Sequence, residues 1–183
     1  IGARRGGRRG GSAMGWAETI VECLKERDVW LVSYVPDAIN WNVLSKLEQD
    51  PAFKVVPATR EEEAVGIACG AYAAKKRSAV FMQSSGFGNT VNGLAQLPVP
   101  YKIPVPLFIG MRGGLGEFNA VQVPAARAVP LVLDAFGIQH YAPQREDEVE
   151  KVVGGALDLC YAGREPVGIL LYSMLTGAKR ATS

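Results

Sequence analysis

Residues 59–89, TREEEAVGIACGAYAAKKRSAVFMQSSGFGN, predict a helix, a buried strand and a glycine-rich loop in direct succession. Apolar residues recur at helical spacing over 64–72, and the basic run 75–77 suits a helix C-terminus. Residues 79–82 are continuously apolar, as a strand covered on both faces would be. The glycine-rich loop 84–89 therefore follows the end of a strand, where open α/β sheets place their ligands.

Three glutamates stand at the start of this helix. Thr59 and Glu62 have the spacing of a capping box, in which each side chain accepts a hydrogen bond from a free backbone N–H group. On the residues alone, Glu61 and Glu63 are first-turn charges that complement the helix dipole. We expect Glu63 to remain a solvated surface charge.

Strands and helices alternate along the rest of the chain. Further strands are predicted at 29–35, 53–57, 105–110, 138–141 and 166–172, and further helices at 17–27, from Asp37 to about Leu47, 89–97, 122–136 and 146–161. This alternation predicts a single α/β domain in which helices cover both faces of a parallel sheet, giving three α/β/α layers.

Composition bounds the organisation of the chain. The net charge is +2, but residues 1–13 hold four arginines and no acid, so the remainder carries 16 basic against 18 acidic residues. We assign residues 1–13 to a disordered Arg/Gly leader, 14–176 to the domain and 177–183 to a tail. Four arginines among glycines could contact nucleic acid, but a disordered leader is favoured because Met14 looks like a natural start, and we expect no nucleic-acid partner.

Location and metal binding are judged from hydropathy and from the cysteines. No apolar run approaches the roughly 18 residues of a membrane span, so we expect no membrane association. The three cysteines, Cys23, Cys69 and Cys160, lie far apart in helical patterns. They are expected to be buried thiols in a reducing compartment, the cytoplasm, and they form no metal site.

Residues suited to binding gather after the strands. In a parallel sheet the strand ends share one edge, and here they supply two carboxylates, an arginine, side-chain amides and free backbone N–H groups. Common motifs do not explain this edge: Val91 stands where a dinucleotide fingerprint needs its third glycine, and no phosphate-binding loop is present. The single histidine, His140, falls within a predicted strand, so Ser84 and Ser85 have no partner base and are expected to serve the turn.

At this edge the sequence resembles a known family. R-E-E-E-A-V-G-I-A-C-G-A-Y-A at 60–73 is similar to the helix start in the pyrimidine-binding domain of thiamine-diphosphate enzymes, matching in Glu61, Ala64 and Gly70. V-P-D at 35–37, Q-S-S-G-F-G-N at 83–89, and Arg112 with Gln122 resemble the sulfopyruvate and phosphonopyruvate decarboxylases. The run G-E-F-N-A-V-Q-V-P-A-A-R-A at 116–128 is similar to sulfopyruvate decarboxylase α subunits.

The resemblance implies the subunit of a 2-oxo acid decarboxylase that converts sulfopyruvate to sulfoacetaldehyde and CO2. The roles it implies are catalysis by Glu61 and Asp37, cofactor binding by Glu61, Gly86, Gly88 and Asn89, and substrate binding by Gln83, Arg112 and Gln122. In the family the glutamate hydrogen-bonds the aminopyrimidine ring of thiamine diphosphate. Asp37 is alternatively a helix N-cap, and Arg112 alternatively pins its own loop.

The resemblance also implies a partner. The family holds the diphosphate and Mg²⁺ with a G-D-G…N-N motif, which does not occur in this sequence. We therefore expect a separate diphosphate-binding β subunit to complete both sites, in a hetero-oligomer that also self-associates. Two alternatives stay open: phosphonopyruvate as the substrate, and a non-catalytic α/β assembly module.

Overall fold

A six-stranded parallel sheet forms the centre of residues 14–177, the part of the chain that the computed structural model describes. The strands lie in the order β2-β1-β3-β4-β6-β5, and every neighbouring pair is parallel. The strands are β1 Val29–Tyr34, β2 Lys54–Pro57, β3 Arg77–Gln83, β4 Pro106–Gly110, β5 His140–Tyr141 and β6 Val167–Leu171. The proposed leader and all but the first residue of the proposed tail lie outside the described residues.

Helices cover both faces of this sheet. They are α1 Trp16–Lys25, α2 Trp41–Gln49, α3 Glu61–Ala73, α4 Ser84–Phe87, α5 Val91–Gln96, α6 Gln122–Ala135, α7 Glu146–Gly163 and α8 Ser173–Thr176. One core joins α1, α2 and α7 to one face, and a second core joins α3, α5 and α6 to the other. The prediction of a three-layer α/β/α domain with a parallel sheet is confirmed.

The register brings four strand ends side by side. Tyr34 of β1 lies opposite Phe81 of β3, Gln83 lies opposite Gly110 of β4, and Gly110 lies opposite Leu171 of β6. The segments that leave β1, β3, β4 and β6 therefore meet at the carboxyl edge of the sheet. These four segments carry most of the site residues expected from the sequence.

The prediction of a glycine-rich loop at 84–89 is wrong. The segment is helical: α4 follows β3 directly, and a 3₁₀ turn at Gly88–Thr90 joins it to α5. Neither Gly86 nor Gly88 has a positive φ angle, so the glycines do not break the helix. Phe87 lies buried in the core on this face of the sheet, and α4 packs against α6, β3 and β4, which fixes the segment in place.

Two further findings complete the fold. Helix α8, after the last strand, was not foreseen, and β5 is reduced to two residues. No helix among residues 14–177 is long and apolar enough to cross a membrane.

Candidate active site

Glu61, the first residue of α3, is a buried acid at the carboxyl edge. Its exposed fraction is 8%. Nδ2 of Asn89 donates a hydrogen bond to its Oε2 at 2.7 Å, and Oδ1 of Asn89 accepts one from the Arg60 guanidinium at 3.4 Å. The amide thus fixes one carboxylate oxygen of Glu61 in an environment with little water.

Gly86 of α4 makes room for this carboxylate. A Cβ atom at position 86 would overlap Oε1, Cδ and Cγ of Glu61, so close approach is the reason for glycine here. Gly88, by contrast, has no atom within 4 Å of the corresponding position. The structure therefore joins Glu61, Gly86 and Asn89 into one group, and leaves Gly88 beside it with open space.

The three glutamates of the first turn have different surroundings. The capping box between Thr59 and Glu62 is not formed: it is Oε2 of Glu63 that accepts the Thr59 N–H, at 2.7 Å. Glu62 forms an ion pair with Arg60 at 2.7 Å. The helix begins two residues after Thr59, which moves the reach-back role from Glu62 to Glu63. Of the three, Glu61 alone is buried.

Asp37 organises the turn between β1 and α2. Its Oδ1 accepts the N–H groups of Ile39 and Asn40 at 2.8 and 2.9 Å, as in an Asx turn. Nδ2 of Asn40 donates to Asp37 Oδ2 at 2.7 Å and to the carbonyl of Met82 at 2.9 Å, which ties this turn to β3. Burial raises the pKa of the Asp37 carboxyl, although these hydrogen bonds and Arg112 oppose the shift. The formal N-cap of α2 is Asn40, so Asp37 supports the preceding turn.

Arg112, just after β4, forms a two-pronged ion pair with Glu117. Nε and Nη2 each lie 2.7 Å from a Glu117 oxygen, and the two side chains are 10% and 7% exposed. The N–H groups of Gly113 and Asn119 donate to the same carboxylate, and the N–H of Arg112 itself donates to Ser84 Oγ. Arg112 therefore holds its own loop in place, which was one of the two roles expected for it.

The pKa of Glu117 is lowered to about 2, chiefly by the hydrogen bonds from Arg112. We expect Glu117→Gln to lower the free energy of unfolding at pH 7 by about 3 kcal/mol, because Arg112 would lose a buried counter-charge. A folded-state pKa below the unfolded value of about 4.3 stabilises the protein above pH 4.3. The difference between wild type and variant should hold from pH 8 to 5, then shrink as the pH falls from about 4 towards 2. Urea unfolding across this range measures it.

Glu165→Gln is the matched control for that series. Glu165 pairs with Lys102 at 3.4 Å, and both side chains are largely exposed. Exposed pairs contribute under about 1 kcal/mol, so this variant should remain near wild type. Equal small losses from both variants would contradict a structural role for the Arg112–Glu117 pair.

The two glutamines are next to the Arg112 loop: Gln83 lies opposite Gly110 in the sheet, and the Gln122 carbonyl lies near Gly113. Gln83 ends β3 and donates through Nε2 to Ser85 Oγ. Gln122 begins α6, and its Oε1 is buried with no hydrogen-bond partner among the described residues. A cavity of about 210 Å³ opens beside Arg112, between the loop after β4, the start of α2 and α8. Glu61 does not line this cavity. The carboxyl edge therefore holds two separate features: the buried Glu61 carboxylate with Gly86 and Asn89, and the cavity beside Arg112.

Two contributors were missed in the sequence. Asn40 is fully buried and bridges Asp37 to β3, and Glu117 holds Arg112. An Asp followed three residues later by Asn signals a side-chain turn and could have revealed Asn40. Glu117 is a single acid in a glycine-rich loop, and nothing in its spacing identifies Arg112 as its partner.

Gly113 allows the Arg112 loop to pack on α6. Its φ angle is +73°, and a Cβ atom there would lie 2.7 Å from Cα of Val123. Glycine alone meets both requirements without strain.

A family model and individual proteins of known name were compared with this chain, and their matches agree. The family described as "Thiamine pyrophosphate enzyme, N-terminal TPP binding domain" matches residues 14–113. Sulfopyruvate decarboxylase subunit alpha of Methanocaldococcus jannaschii is 38% identical over 151 residues, covering 82% of this chain and 89% of that protein. Phosphonopyruvate decarboxylase of Streptomyces viridochromogenes is 32% identical over 106 residues, covering 58% of this chain and 27% of that protein.

A solved structure shows the same fold. The 2-oxoglutarate:ferredoxin oxidoreductase from Magnetococcus marinus superposes with a TM-score of 0.67 at 14% identity. The match covers 89% of this chain, which spans 29% of the oxidoreductase chain.

Proposed function

Because this chain belongs to the family of thiamine pyrophosphate enzymes with the N-terminal TPP-binding domain, we propose that it is the pyrimidine-domain subunit of a decarboxylase that converts sulfopyruvate to sulfoacetaldehyde and CO2. The observation that carries the proposal is the buried Glu61 carboxylate beside Gly86. A non-catalytic assembly module has no need of an acid buried against a glycine at a sheet edge.

The residues around Glu61 fit the aminopyrimidine end of thiamine diphosphate. A buried carboxylate with one oxygen held by Asn89 is pre-oriented to accept a hydrogen bond from the ring N1′ position. Gly86 keeps the space around the carboxylate clear, and Gly88 offers open backbone beside it. When bound, thiamine diphosphate supplies the carbon nucleophile and the electron sink of the reaction. This chain contributes orientation, exclusion of water and a proton acceptor at Glu61.

We assign the diphosphate and Mg²⁺ to a β subunit. The Methanocaldococcus relative, 89% of which this chain spans, is described as an alpha subunit, which supports a second type of subunit here. The family's G-D-G…N-N motif would be contributed by that subunit. We also place the protein in the cytoplasm, a proposal supported by three cysteines that are all buried free thiols.

We assign the anionic 2-oxo acid to Arg112 and the cavity beside it. The Arg112 guanidinium is already engaged by Glu117, so a sulfonate would share it. Gln83 and Gln122 are next to the same loop, and Oε1 of Gln122 has no hydrogen-bond partner among residues 14–177. We assign Asp37 the catalytic role that the family resemblance implies, because its neighbours Ala38 and Ile39 line the cavity beside Arg112. The longer and stronger similarity to the sulfopyruvate enzyme favours sulfopyruvate over phosphonopyruvate.

The test is reconstitution of the enzyme from this chain and its β subunit with thiamine diphosphate and Mg²⁺. Decarboxylation of sulfopyruvate, phosphonopyruvate and pyruvate is then measured at matched concentrations. We expect the highest kcat/KM with sulfopyruvate. A preference for phosphonopyruvate would reassign the substrate, and no turnover of any 2-oxo acid would overturn the proposal.

An apolar surface at the carboxyl edge suits the partner subunit. Leu115 and Val121, in the loop after β4, are 81% and 80% exposed, and Phe118 and Met174 nearby are also exposed. Such patches mark interaction sites. We expect Leu115→Ser with Val121→Ser to weaken association with the β subunit at least 10-fold, a loss of about 1.4 kcal/mol or more.

Leu131→Ser is the control for this pair, since Leu131 is 69% exposed on α6 away from that loop. Light scattering and sedimentation on the mixed subunits give the affinities. A clean monomer, both alone and with the β subunit, would contradict the assignment of this surface.

A further inference from the structure

A second cleft opens at the amino edge of the sheet, opposite Glu61. It lies between the C-terminal ends of α3 and α7, beside the start of β3, and has a volume of about 510 Å³. Its lining comprises Tyr72, Ala73, Lys75, Lys76, Arg77, Pro104, Tyr161 and Arg164. Helix α3 separates Glu61 from Tyr72 by about 17 Å, at a rise of 1.5 Å per residue. The cleft therefore does not belong to the candidate active site.

Four cationic side chains line this cleft, and it contains no acid. Within residues 14–177, no carboxylate lies within 4.0 Å of the charged groups of Lys75, Lys76, Arg77 or Arg164. Lys102, by contrast, has a carboxylate partner, since it pairs with Glu165. The ends of two helices contribute about half a negative charge each, which offsets roughly one of the four positive charges. Asp158, the ion-pair partner of Arg27, also interacts with the charge of Arg77 from beyond 4.0 Å, and the cleft still remains net positive through the other cations.

Two of these cations occupy costly backbone positions. Lys75 has φ of +60° and Arg164 has φ of +57°. Each stands just past a helix end, where glycine is the usual residue because it has no Cβ atom to clash with the following carbonyl. A cation near a helix C-terminus interacts favourably with the helix dipole. A cation elsewhere in the last turn would have the same interaction, so the dipole does not explain why the cation stands at the residue with positive φ. Strained positions of this kind cluster at functional sites.

Aromatic and proline side chains form the rest of the wall. The Arg77 guanidinium lies 4.7 Å from the ring centroid of Tyr161, and an Arg164 nitrogen donates to the Tyr72 hydroxyl at 2.7 Å. Arg164 and Tyr72 thus link the ends of α7 and α3 across the cleft. Flat apolar surfaces next to guanidinium groups suit a ligand that combines a planar ring with phosphates. The volume falls in the range of small-molecule sites, about 300 to 1,000 Å³.

We propose that this amino-edge cleft binds a nucleotide-type ligand, a heteroaromatic ring that carries two phosphates. Lys75, Arg164 and the remaining nitrogens of Arg77 hold the phosphates. Lys76, whose ammonium lies over the Trp30 ring, adds positive charge, and Tyr72 with Pro104 contacts the ring. This assignment is independent of the decarboxylase proposal, because it uses none of the residues at the carboxyl edge.

Calorimetry on the full chain in 0.15 M salt tests the proposal, with ADP, pyrophosphate and adenosine as probes. We expect ADP to bind one to one, at least 10-fold more tightly than either pyrophosphate or adenosine. Arg164→Gly removes a charge and also relieves the positive-φ strain. It should lower the affinity for ADP at least 10-fold while the thermal midpoint does not fall.

Lys151→Gln is the matched control, because Lys151 is an exposed cation near the other end of α7. It should leave the affinity for ADP unchanged. Absence of ADP binding, equal losses from Arg164→Gly and Lys151→Gln, or pyrophosphate binding as tightly as ADP would each overturn the proposal. Unchanged ADP affinity in Arg164→Gly, whatever its thermal midpoint, would likewise overturn the proposal.

Discussion

Glu61→Gln is expected to lower decarboxylation by the assembled enzyme by roughly 10² or more, the usual scale for a positioned acid–base group. Glutamine keeps the size of the side chain and a hydrogen-bonding oxygen for Asn89, but it cannot accept a ring proton. Because Glu61 is buried and its Oε2 is fixed by the Asn89 amide, no solvent molecule can readily replace the lost acceptor. The exchange rate of the cofactor's C2 proton should fall with turnover.

Glu63→Gln separates this effect from a general loss of charge at the helix start. Glu63 lies in the same turn, but it is exposed and accepts the Thr59 N–H. It should change turnover little, although it should slightly weaken the helix start. Equal, mild losses of turnover from both variants would return Glu61 to the role of a helix-start charge.

Gly86→Ala is expected to abolish most activity while the chain still folds. The added Cβ would overlap the Glu61 carboxylate, and a flexible side chain yields more easily than backbone. Alanine suits the helical backbone of α4, so the cost falls on the position of Glu61. We expect turnover to fall by roughly 10², similar to Glu61→Gln, because both changes remove the same positioned carboxylate.

The double variant Gly86→Ala with Glu61→Gln tests this directly. If Gly86 acts through Glu61, the double variant should be no slower than Glu61→Gln alone. Gly66→Ala is the control: Gly66 lies exposed on α3 with open space around it. It should leave activity unchanged and stabilise the fold by about 0.5–1 kcal/mol. Multiplicative losses in the double variant would show that Gly86 acts independently of Glu61.

The three-layer architecture could be predicted from the sequence because its signals are local. Continuously apolar strands separated by periodic helices determine the three layers, and the register then gathers the strand ends at one edge. The segment 84–89 was misjudged because its glycines suggest a turn. Its helical conformation accompanies the burial of Phe87 in the core and the packing of α4 against α6, a contact between segments distant in the chain.

At the candidate site, too, local signals could be predicted from the sequence and contacts between distant segments could not. Glu61 could be singled out by resemblance, but the overlap with Gly86 and the hydrogen bond from Asn89 join α3 to segments that follow β3. The partner of Arg112 depends on how the 111–119 loop closes, which spacing does not encode. The catalytic and binding roles of all the candidate residues remain predictions for mutagenesis: Glu61, Asp37, Gly86, Gly88, Asn89, Gln83, Arg112 and Gln122.

The measurement that tests the central claim most directly is a calorimetric titration of thiamine diphosphate with Mg²⁺. It is run first into this chain alone and then into this chain mixed with its β subunit. If the chain supplies only the pyrimidine half of the site, the chain alone should bind weakly, and stoichiometric binding should appear once the β subunit is added. Tight, stoichiometric binding by the chain alone would contradict the account.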